Sequence, residues 1–253
     1  MTMKKLVVVG ATSLMAHSCA RLWIESNEYS SAVLIGRNRD KLEEVAKDLQ
    51  TRGGTALKVE IRTGDMLTAE GVEQLVNQAC EGDLPDTVLI AHGYMPDQDV
   101  IDGSLAKCEE VLRVTGVSPS LFLQSFAMKL RGNSSARIAV IGSVAGDRGR
   151  TSNYIYGASK AMIAAAASGL IQRFAMENGP VISIVKPGPT STPMTASMEN
   201  RKMLAPVEDV AKCIVKGVNA GRKEIYAPFK WTFIMFIVRH LPYFIFNRVK
   251  QLR

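Results

Sequence analysis

The chain has 253 residues, of which 47% are hydrophobic, and a net charge of +7. This length suffices for one large α/β domain with a substantial core, and no linker, repeat or low-complexity block marks a second domain. The four cysteines show neither C-x-x-C nor zinc spacing, and the first residues read as a strand instead of a signal peptide. We therefore expect a cytoplasmic protein with reduced thiols and no metal site.

Short apolar runs of strand length alternate along the chain with longer patterns of helical periodicity. The runs lie at Leu6–Val9, Ala32–Ile35, Leu57–Ile61, Thr87–Ala91, Arg137–Ile141, Val181–Val185 and Glu224–Ala227. Continuously apolar strands separated by helices are typical of a parallel sheet covered on both faces. The sequence therefore predicts a doubly wound α/β fold of about seven strands over residues 1–228, with ligands bound at the carboxyl ends of the strands.

The most informative motif is a tyrosine followed four residues later by a lysine, Tyr156 and Lys160, in a predicted helix. Residues i and i+4 lie one above the other on one helix face, so the Lys160 ammonium is expected near the Tyr156 phenol. A neighbouring cation lowers the pKa of a phenol, about 10 in a free tyrosine, and lets it exchange a proton with a substrate oxygen. Ser143, after the predicted fifth strand, would add a hydroxyl to this site.

Two further segments stand in a fixed order around this motif. Gly10–Ala16 follows the first strand and opens a helical pattern, and Lys186–Thr192 follows the sixth strand. Together these motifs resemble the short-chain dehydrogenase/reductase family over about residues 4–229. The resemblance implies a Rossmann-type fold, a nicotinamide cofactor and reductase activity. It also implies a homo-oligomer that assembles through the alanine-rich helix face at Ala161–Ala167.

The resemblance places a dinucleotide pyrophosphate at the turn after the first strand. Gly10 permits a tight turn and a close approach of the backbone, and the phosphates then rest on the N-terminus of the following helix. The family usually has glycines where this chain has Leu14 and Ala16. We therefore expect a modified turn in which Thr12 and Ser13 supply hydroxyls to phosphate. A plain strand-to-helix turn accounts for these residues equally well.

The end of the second strand bears on which nicotinamide cofactor is bound. A carboxylate here holds the ribose 2′-hydroxyl in NAD sites, whereas a 2′-phosphate requires an arginine. This strand end has no acid, and Arg37 stands one residue after it. The sequence therefore favours NADP(H). Arg39 either makes a second contact or begins a solvated helix face, and the second interpretation is favoured.

Other positions match cofactor contacts of the family after the later strands. Asp65 matches the aspartate that contacts adenine, although it could equally cap the helix that begins near Thr68. Thr192 matches the threonine that holds the nicotinamide carboxamide. The remaining predicted cofactor contacts, beside Tyr156 and Lys160 themselves, are Met66, Ala91, Gly93, Pro187, Gly188 and Thr190.

The resemblance also assigns roles in the reaction. Tyr156 would protonate the alkoxide that forms when a substrate carbonyl accepts a hydride, and Ser143 would orient the carbonyl oxygen. Lys160 would lower the pKa of Tyr156 and hold the nicotinamide ribose. The family adds an asparagine in the helix after the fourth strand. This chain has Thr115 at that point, so the fourth catalytic member is either absent or replaced by the Thr115 hydroxyl, and we expect activity to survive.

Two more residues are candidates for proton transfer. His92 stands where the family commonly has alanine. It either acts catalytically or donates a hydrogen bond to a neighbouring carbonyl, and the second interpretation is favoured for a lone histidine beside an apolar strand. Tyr154 precedes Tyr156 by two residues, but its i+4 residue is Ala158, which provides no cation. We expect Tyr154 to line the substrate pocket.

Residues 229–253 form an apolar extension with basic flanks. No acidic residue follows Glu224. Five of the seven net positive charges come after it, on Lys230, Arg239, Arg248, Lys250 and Arg253. The apolar runs 231–238 and 241–246 are too short to cross a bilayer, which takes about 20 residues. We expect a helical anchor in the plane of an anionic membrane, with Trp231 and Tyr243 at the interface. The alternative is a helix buried in a dimer or over the active site.

The basic residues flank an apolar segment instead of following a groove, which argues against nucleic-acid binding. The extension, the first turn, Ala91–Gly93 and Ser143–Arg150 resemble one branch of the family, the reductases of polyprenyl-phosphate-linked 2-keto-pentoses in cell-envelope synthesis. This implies NADPH-dependent reduction of a lipid-linked sugar ketone at the inner face of the membrane. A soluble reductase of 3-oxoacyl thioesters or small ketones is the alternative. The residues at Leu14 and Thr115 also leave open an inactive cofactor-sensing or scaffold protein.

Overall fold

The structure, a computed structural model, describes residues 3–196 and 203–248 and contains the predicted sheet. The strands are β1 (Lys4–Val9), β2 (Tyr29–Gly36), β3 (Lys58–Thr63), β4 (Thr87–Ile90), β5 (Arg137–Ile141), β6 (Val181–Pro187) and β7 (Glu224–Ala227). All neighbouring strands pair in parallel, in the order β3-β2-β1-β4-β5-β6-β7. The predicted doubly wound sheet of seven strands is confirmed.

Helices connect the strands and cover both faces of the sheet. They are α1 (Leu14–Glu25), α2 (Arg39–Gly53), α3 (Ala69–Ala79), α4 (Gln98–Asp102), α5 (Leu105–Leu112), α6 (Ser118–Lys129), α7 (Tyr154–Met176), α8 (Val207–Asn219), α9 (Lys230–His240) and α10 (Tyr243–Phe246). A π-helical segment, Arg113–Val117, joins α5 to α6.

Two hydrophobic cores lie on opposite faces of the sheet because successive side chains of a strand point to opposite sides. Leu6 and Val8 pack with α1, α2 and α8, whereas Val7 and Val9 pack with α3, α6 and α7. All four side chains are fully buried, and such burial contributes about 1.5–3 kcal/mol for each side chain. Burial on both faces is the physical reason that β1 is apolar throughout.

The strand order reverses beside β1, which pairs with β2 on one side and β4 on the other. Gly10 follows β1 with φ +76°, and its N–H donates to Ile35 O at 2.8 Å. A Cβ atom at Gly10 would lie 2.7 Å from His92 Cβ, so the loops after β1 and β4 touch there. Such a reversal opens a crevice at the carboxyl ends of the strands, where ligands of this fold bind.

Helices α9 and α10 fold back onto the carboxyl edge of the sheet. Trp231, Met235, Val238 and Phe246 form a third, smaller core with Val144 of the loop after β5. The predicted position of Trp231 at a membrane interface is therefore wrong, because its ring is 4% exposed and packs against the protein. No helix among the described residues has the length and hydropathy to cross a membrane. Two predicted basic residues of the extension, Lys250 and Arg253, lie outside the described residues.

Candidate active site

Ser143, Tyr156 and Lys160 come together at the carboxyl edge of the sheet. Ser143 follows β5, while Tyr156 and Lys160 lie one turn apart in α7, as predicted. Lys160 is 4% exposed, and its Nζ lies 5.7 Å from the centre of the Tyr156 ring and donates to Ile141 O at 2.8 Å. This hydrogen bond to the last residue of β5 fixes the ammonium between the strand and the helix that carries the tyrosine.

Two glycines allow the loop after β5 to lie directly on α7. A Cβ atom at Gly157 would lie 2.7 Å from Ala145 O, and a Cβ atom at Gly146 would lie 2.8 Å from the backbone of Lys160 and Ala161. Any side chain at either position would push the loop away from the helix. Sequence reasoning missed both residues, although Gly157 is an isolated glycine inside a helical pattern, which is a signal of close packing.

The Ser143 hydroxyl is held in one orientation by its own loop. Its Oγ accepts a hydrogen bond from Ala145 N at 3.1 Å and begins the short 3₁₀ turn Val144–Gly146. Because the oxygen accepts this bond, the hydroxyl proton is left to donate toward the Tyr156 phenol or toward a substrate oxygen.

The electrostatics of the pair differ from the expectation in one respect. Burial raises the pKa of Tyr156 to about 12, and the hydrogen bond with Ser143 offsets only part of this rise. Burial also lowers the pKa of Lys160 to about 8. The expected lowering of the Tyr156 pKa is wrong here because removal from water disfavours the phenolate more strongly than its neighbours favour it. At neutral pH the site therefore holds a protonated phenol beside a charged lysine.

Thr115 has a different role from the predicted one. It is fully buried in the π-helical segment, and its Oγ1 donates to Tyr94 O and accepts from Tyr94 N, both at 2.8 Å. The assignment of Thr115 as a catalytic residue is therefore wrong, because its only proton is already donated to a backbone carbonyl. Its side chain instead holds the loop at Gly93, where a Cβ atom would come within 3.5 Å of Lys160 Nζ.

His92 is a structural residue, as favoured from the sequence. Its Nε2 lies 2.8 Å from Ser118 Oγ, and Ser118 donates its own proton to Met66 O at 2.5 Å. Since the serine has one proton, His92 must donate from Nε2, which leaves Nδ1 as an acceptor. Burial, with Lys160 and Arg37 nearby, lowers the pKa of His92 to about 3. The ring is thus neutral at physiological pH.

Tyr154 lies at the start of α7 with its side chain partly exposed. Its phenol is exposed and donates a hydrogen bond to Asp102 Oδ1 at 2.5 Å, which joins α7 to α4. This hydrogen bond raises the pKa of Tyr154. The phenol fixes the start of α7, and a role of Tyr154 in a substrate pocket stays a prediction.

The predicted phosphate turn has the form of a helix N-terminus that faces the crevice. Ser13 is the N-cap residue of α1, in extended conformation and without a side-chain capping bond, and Leu14 is the first helical residue. Thr12 is exposed and Leu14 is 39% exposed, whereas Ala16 is fully buried against the sheet. The first N–H groups of a helix lack intrahelical partners and attract anions. This turn can therefore hold a pyrophosphate without the missing glycines.

Arg37 and Arg39, the two arginines considered as contacts to the 2′-phosphate, have different surroundings. Arg37 is exposed directly after β2 and lies close enough to His92 to lower the pKa of that imidazole. Arg39 approaches Glu43 at 3.7 Å in α2, which confirms the solvated helix face.

Asp65 accepts from Leu67 N at 2.8 Å and from the Thr68 hydroxyl at 2.7 Å. These bonds brace the start of α3, where Thr68 itself is the N-cap residue.

The remaining predicted contacts lie along the same edge. Ala91 N donates to Val9 O at 2.9 Å, and Met66 is buried beneath Ser118. Pro187 is the last residue of β6 and precedes Gly188, whose N–H donates to Ala227 O at 3.0 Å. The loop beyond is braced by Thr190 Oγ1, which donates to Gly188 O at 2.9 Å, and by Thr195 Oγ1, which donates to Thr190 O at 2.6 Å. Thr192 begins the turn at residues 193–195 within this loop.

A dinucleotide fits this edge for a reason independent of the motif. His92 Nδ1 is a buried acceptor without a hydrogen-bond partner among the described residues, and it lies near both Lys160 and Arg37. An unpaired buried acceptor is unfavourable by about 1–3 kcal/mol. A nucleotide that extended from Arg37 to Lys160 would pass this nitrogen, and its ribose hydroxyl would supply the donor that it lacks.

Residues 4–203 match the model of the short-chain dehydrogenases, and the chain belongs to that family. It is therefore an oxidoreductase. Curated relatives are similar along most of their length. An uncharacterized oxidoreductase of Mycobacterium tuberculosis is 27% identical over 88% of each chain, and an uncharacterized oxidoreductase of Streptomyces coelicolor is 29% identical over 97% of this chain and 96% of the relative.

Solved structures share the fold, including the region of the C-terminal helices. A short-chain dehydrogenase from Burkholderia cenocepacia in complex with NADP covers 98% of both chains with a TM-score of 0.81 at 16% identity. The bulky-bulky ketone specific alcohol dehydrogenase from Comamonas testosteroni matches 100% of this chain and 97% of its own, with a TM-score of 0.78 at 15% identity. At these identities the likeness concerns the fold alone.

Proposed function

We propose that this protein is an NADPH-dependent reductase of a ketone, with Ser143, Tyr156 and Lys160 as its catalytic residues. The observation that carries the proposal is the position of the Tyr156 ring, whose centre lies 5.7 Å from the buried Lys160 Nζ, with Ser143 on the same edge of the sheet. A pKa of about 12 keeps the phenol protonated throughout the physiological range. Oxidation of NADPH by a panel of ketones tests the proposal.

In this proposal Ser143, Tyr156 and Lys160 each have a separate role at the substrate oxygen. NADPH, when bound, supplies the hydride for the carbonyl carbon. Ser143 donates a hydrogen bond that orients the carbonyl, and Tyr156 transfers its proton to the oxygen as negative charge develops there. Lys160, charged below about pH 8, stabilises the phenolate that remains. Because the phenol rests protonated, it can donate its proton in the reductive direction, and the adjacent Lys160 charge offsets the weak acidity that its high pKa implies.

The cofactor would be held by the residues along the strand ends. The N-terminus of α1, with Gly10 and Thr12 to Leu14, would take the pyrophosphate, and His92 Nδ1 would accept a hydrogen bond near the ribose. Arg37 would pair with the 2′-phosphate. The solved Burkholderia cenocepacia relative with NADP supports this choice, and so does the absence of a carboxylate in the segment 36–39 after β2.

Arg37→Asp should reverse the cofactor preference. The substitution removes a charge-assisted contact to the 2′-phosphate and adds an anion, so NADPH affinity should fall by about 1.5–3 kcal/mol while NADH affinity changes far less. Titration of each cofactor into wild type and variant measures this. Arg39→Asp is the matched control, since its guanidinium faces Glu43. Equal loss of both cofactors, or a wild type that prefers NADH, contradicts the assignment.

We further propose that residues 229–253 form an extension that places the reductase domain, residues 1–228, on a membrane. The buried face of α9 is matched by an exposed apolar face. Across α9, its N-cap residue and α10, the exposed large apolar side chains are Phe229, Phe233, Ile234, Phe236, Ile237, Tyr243, Phe244 and Ile245, between 37% and 76% exposed. Lys230, Arg239 and Arg248 lie beside it and no acid follows Glu224. Apolar groups with a cationic rim suit the interface of an anionic bilayer.

The membrane position favours a lipid-linked substrate. The tail packs on Val144, next to Ser143, through its inner side and presents apolar groups on its outer side. A ketone on a sugar that is joined to a polyprenyl phosphate would leave its chain in the bilayer while the carbonyl reaches Tyr156. The resemblance to reductases of polyprenyl-phosphate-linked 2-keto-pentoses agrees with this arrangement.

Wild type should float with anionic phosphatidylserine vesicles, and binding should weaken with salt because each basic residue near the surface contributes about 1 kcal/mol. Replacing Phe233 and Phe236 by glutamate should abolish flotation without changing the melting temperature, since both side chains are solvent-exposed. Vesicles of neutral phosphatidylcholine are the lipid control. If wild type stays unbound and elutes as an oligomer that the double variant disrupts, the exposed face is instead a contact between subunits.

A soluble reductase of bulky ketones is a second candidate, favoured by one observation. The Comamonas testosteroni bulky-bulky ketone specific alcohol dehydrogenase matches this chain along its whole length, extension included. In that case the exposed face of the extension, or the face of α7 with Met162 and Ala165 exposed, would be covered by a second copy. A 3-oxoacyl thioester is the alternative substrate of such a soluble reductase. If the protein is instead an inactive scaffold, no ketone of the panel will oxidise NADPH.

A further inference from the structure

A buried ion pair ties the short turn that begins at Ser143 to the sheet. Asp147 directly follows this 3₁₀ turn, Val144–Gly146, and its Oδ1 lies 2.7 Å from Lys186 Nζ of β6. The side chains of Asp147 and Lys186 are only 4% and 8% exposed. A carboxylate so far removed from water is unfavourable unless it is paired and hydrogen-bonded. The position of Asp147 is therefore tied to that of Lys186.

Two residues of β7 extend this contact into a network. The Tyr226 phenol donates to the second carboxylate oxygen of Asp147, Oδ2, at 2.6 Å, and Lys186 Nζ donates to Glu224 Oε1 at 2.5 Å. Burial lowers the pKa of Lys186, but the hydrogen bonds with Asp147 and Glu224 outweigh this effect and raise it, so the ammonium is charged. The loop after β5 is thus fastened to both β6 and β7.

Backbone hydrogen bonds connect Asp147 to Ser143. Gly146 N donates to Ser143 O at 3.1 Å, and Asp147 N donates to Val144 O at 3.3 Å. Ser143 Oγ accepts from Ala145 N at 3.1 Å within the same turn. Residues 143–147 therefore form one hydrogen-bonded unit, with the serine hydroxyl at one end and the buried carboxylate at the other.

This unit also lies on α7, the helix that carries Tyr156. The contacts there are close packing at Gly146 and Gly157, which sets a shortest approach but does not by itself prevent the turn from moving away. The hydrogen bonds of Asp147 involve charged groups and have preferred directions. The distance between the Ser143 hydroxyl and the Tyr156 phenol is therefore determined by the packing on α7 together with the anchoring of Asp147.

We propose that Asp147 is a positioning residue, which holds the Ser143 hydroxyl in place beside the Tyr156 phenol and the substrate carbonyl. The proposal rests on the proposed reductase function and adds a residue to its machinery. Both oxygens of the Asp147 carboxylate are engaged and the side chain is buried, so it acts through Ser143 and not on the substrate itself. A misplacement of about 1 Å at a catalytic group is enough to lower a rate about a hundredfold.

Single-turnover reduction of a ketone, with NADPH already bound, measures the effect on the chemical step. Asp147→Ala should slow this step at least about tenfold, while the Kd of NADPH stays within about twofold of wild type. Lys186 keeps Glu224 as its partner in this variant, so the fold should be retained. Asp147→Asn should restore most of the rate, because its amide can still accept from Lys186 and bond to Tyr226.

Asp48→Asn is the matched control for these variants. It removes the charge of another carboxylate that pairs with cations, Arg21 of α1 and Arg52 of α2, but belongs to neither the loop after β5 nor its neighbours. Its rate should remain within about twofold of wild type, since it has no part in orienting Ser143.

A double-mutant cycle with Ser143→Ala separates positioning from a general structural role. If Asp147 acts through the serine hydroxyl, adding Asp147→Ala to Ser143→Ala should slow the reaction by less than about a further twofold. Equal slowing in both backgrounds would overturn the proposal, because Asp147 would then act independently of the serine. A rate of Asp147→Ala within twofold of wild type would overturn it as well.

Hydrogen exchange of residues 143–148, followed by mass spectrometry, tests the anchoring without turnover. Asp147→Ala should accelerate exchange of this segment at least about tenfold, whereas Asp48→Asn should leave it unchanged. Wild-type exchange rates in β1 show that each variant is folded. If Asp147→Ala leaves the segment as protected as in wild type, the proposal is wrong. If wild type reduces no ketone, the reductase proposal fails, and the exchange result alone decides whether Asp147 fixes the turn.

Discussion

Tyr156→Phe should abolish turnover and leave cofactor binding almost unchanged. The substitution removes only the hydroxyl, and a positioned proton donor contributes about 10²–10⁴-fold to the rate. The remaining ring still fills its buried place beside Lys160, so the fold should be kept. Steady-state kinetics and NADPH titration of the purified variant measure the two effects separately.

Tyr154→Phe provides the matched control for this prediction. Its phenol is exposed and bonds to Asp102, so the variant should lose some stability at the start of α7 while kcat stays within about twofold of wild type. If Tyr156→Phe keeps more than about 5% of the wild-type activity, another group must donate the proton. Ser143 is the nearest remaining hydroxyl and would then be the first residue to examine.

Met235→Ala should lower the free energy of unfolding by about 2–5 kcal/mol, because Met235 is fully buried and the variant leaves a cavity. It sits at the centre of the small core that joins α9 to the loop after β5. The neighbouring Phe236 is 67% exposed, and Phe236→Ala should change stability by no more than about 0.5 kcal/mol. Denaturant unfolding of both variants measures the difference.

The same pair of variants separates the two faces of the extension. Phe236→Ala should reduce binding to anionic vesicles while Met235→Ala disturbs the substrate side, where Trp231 and Val144 pack. An extension that is a loosely tethered anchor would give the opposite result: Met235→Ala would be as stable as wild type and Phe236→Ala would have no distinct effect.

The sheet could be predicted from the sequence because fully buried strands are apolar along their whole length. All seven predicted strands occur, with bounds that differ by up to three residues; β2 begins at Tyr29, three residues before the predicted start. The positions of Tyr156 and Lys160 were equally accessible, since an i, i+4 spacing in a helix fixes their relation locally. The arrangement of these residues required no knowledge of distant contacts.

The errors concern contacts between residues far apart in the chain. Thr115 is engaged by the backbone of Tyr94, 21 residues away. No local pattern reveals such a partner. The pKa of Tyr156 was misjudged for a related reason, because the degree of burial depends on the loop after β5, which Gly146 and Gly157 bring onto α7.

The extension illustrates what composition can and cannot predict. An apolar segment with basic flanks indicated that some surface would be covered, but composition does not indicate which face is turned inward. Trp231 was expected in lipid and instead lies against Gly188. The loop after β5 determines how the extension packs, since Arg148 of this loop bonds to the carbonyls at the end of α9.

The most direct test of the central claim is transfer of deuterium from NADPH labelled at the nicotinamide C4 to the carbinol carbon of the product, followed by mass spectrometry. Wild type should place one deuterium in each alcohol formed from a polyprenyl-phosphate-linked 2-keto-pentose, at a higher rate than with bulky uncharged ketones. Tyr156→Phe should produce none. If wild type with bound NADPH transfers no deuterium to any ketone of the panel, the protein is not a ketone reductase.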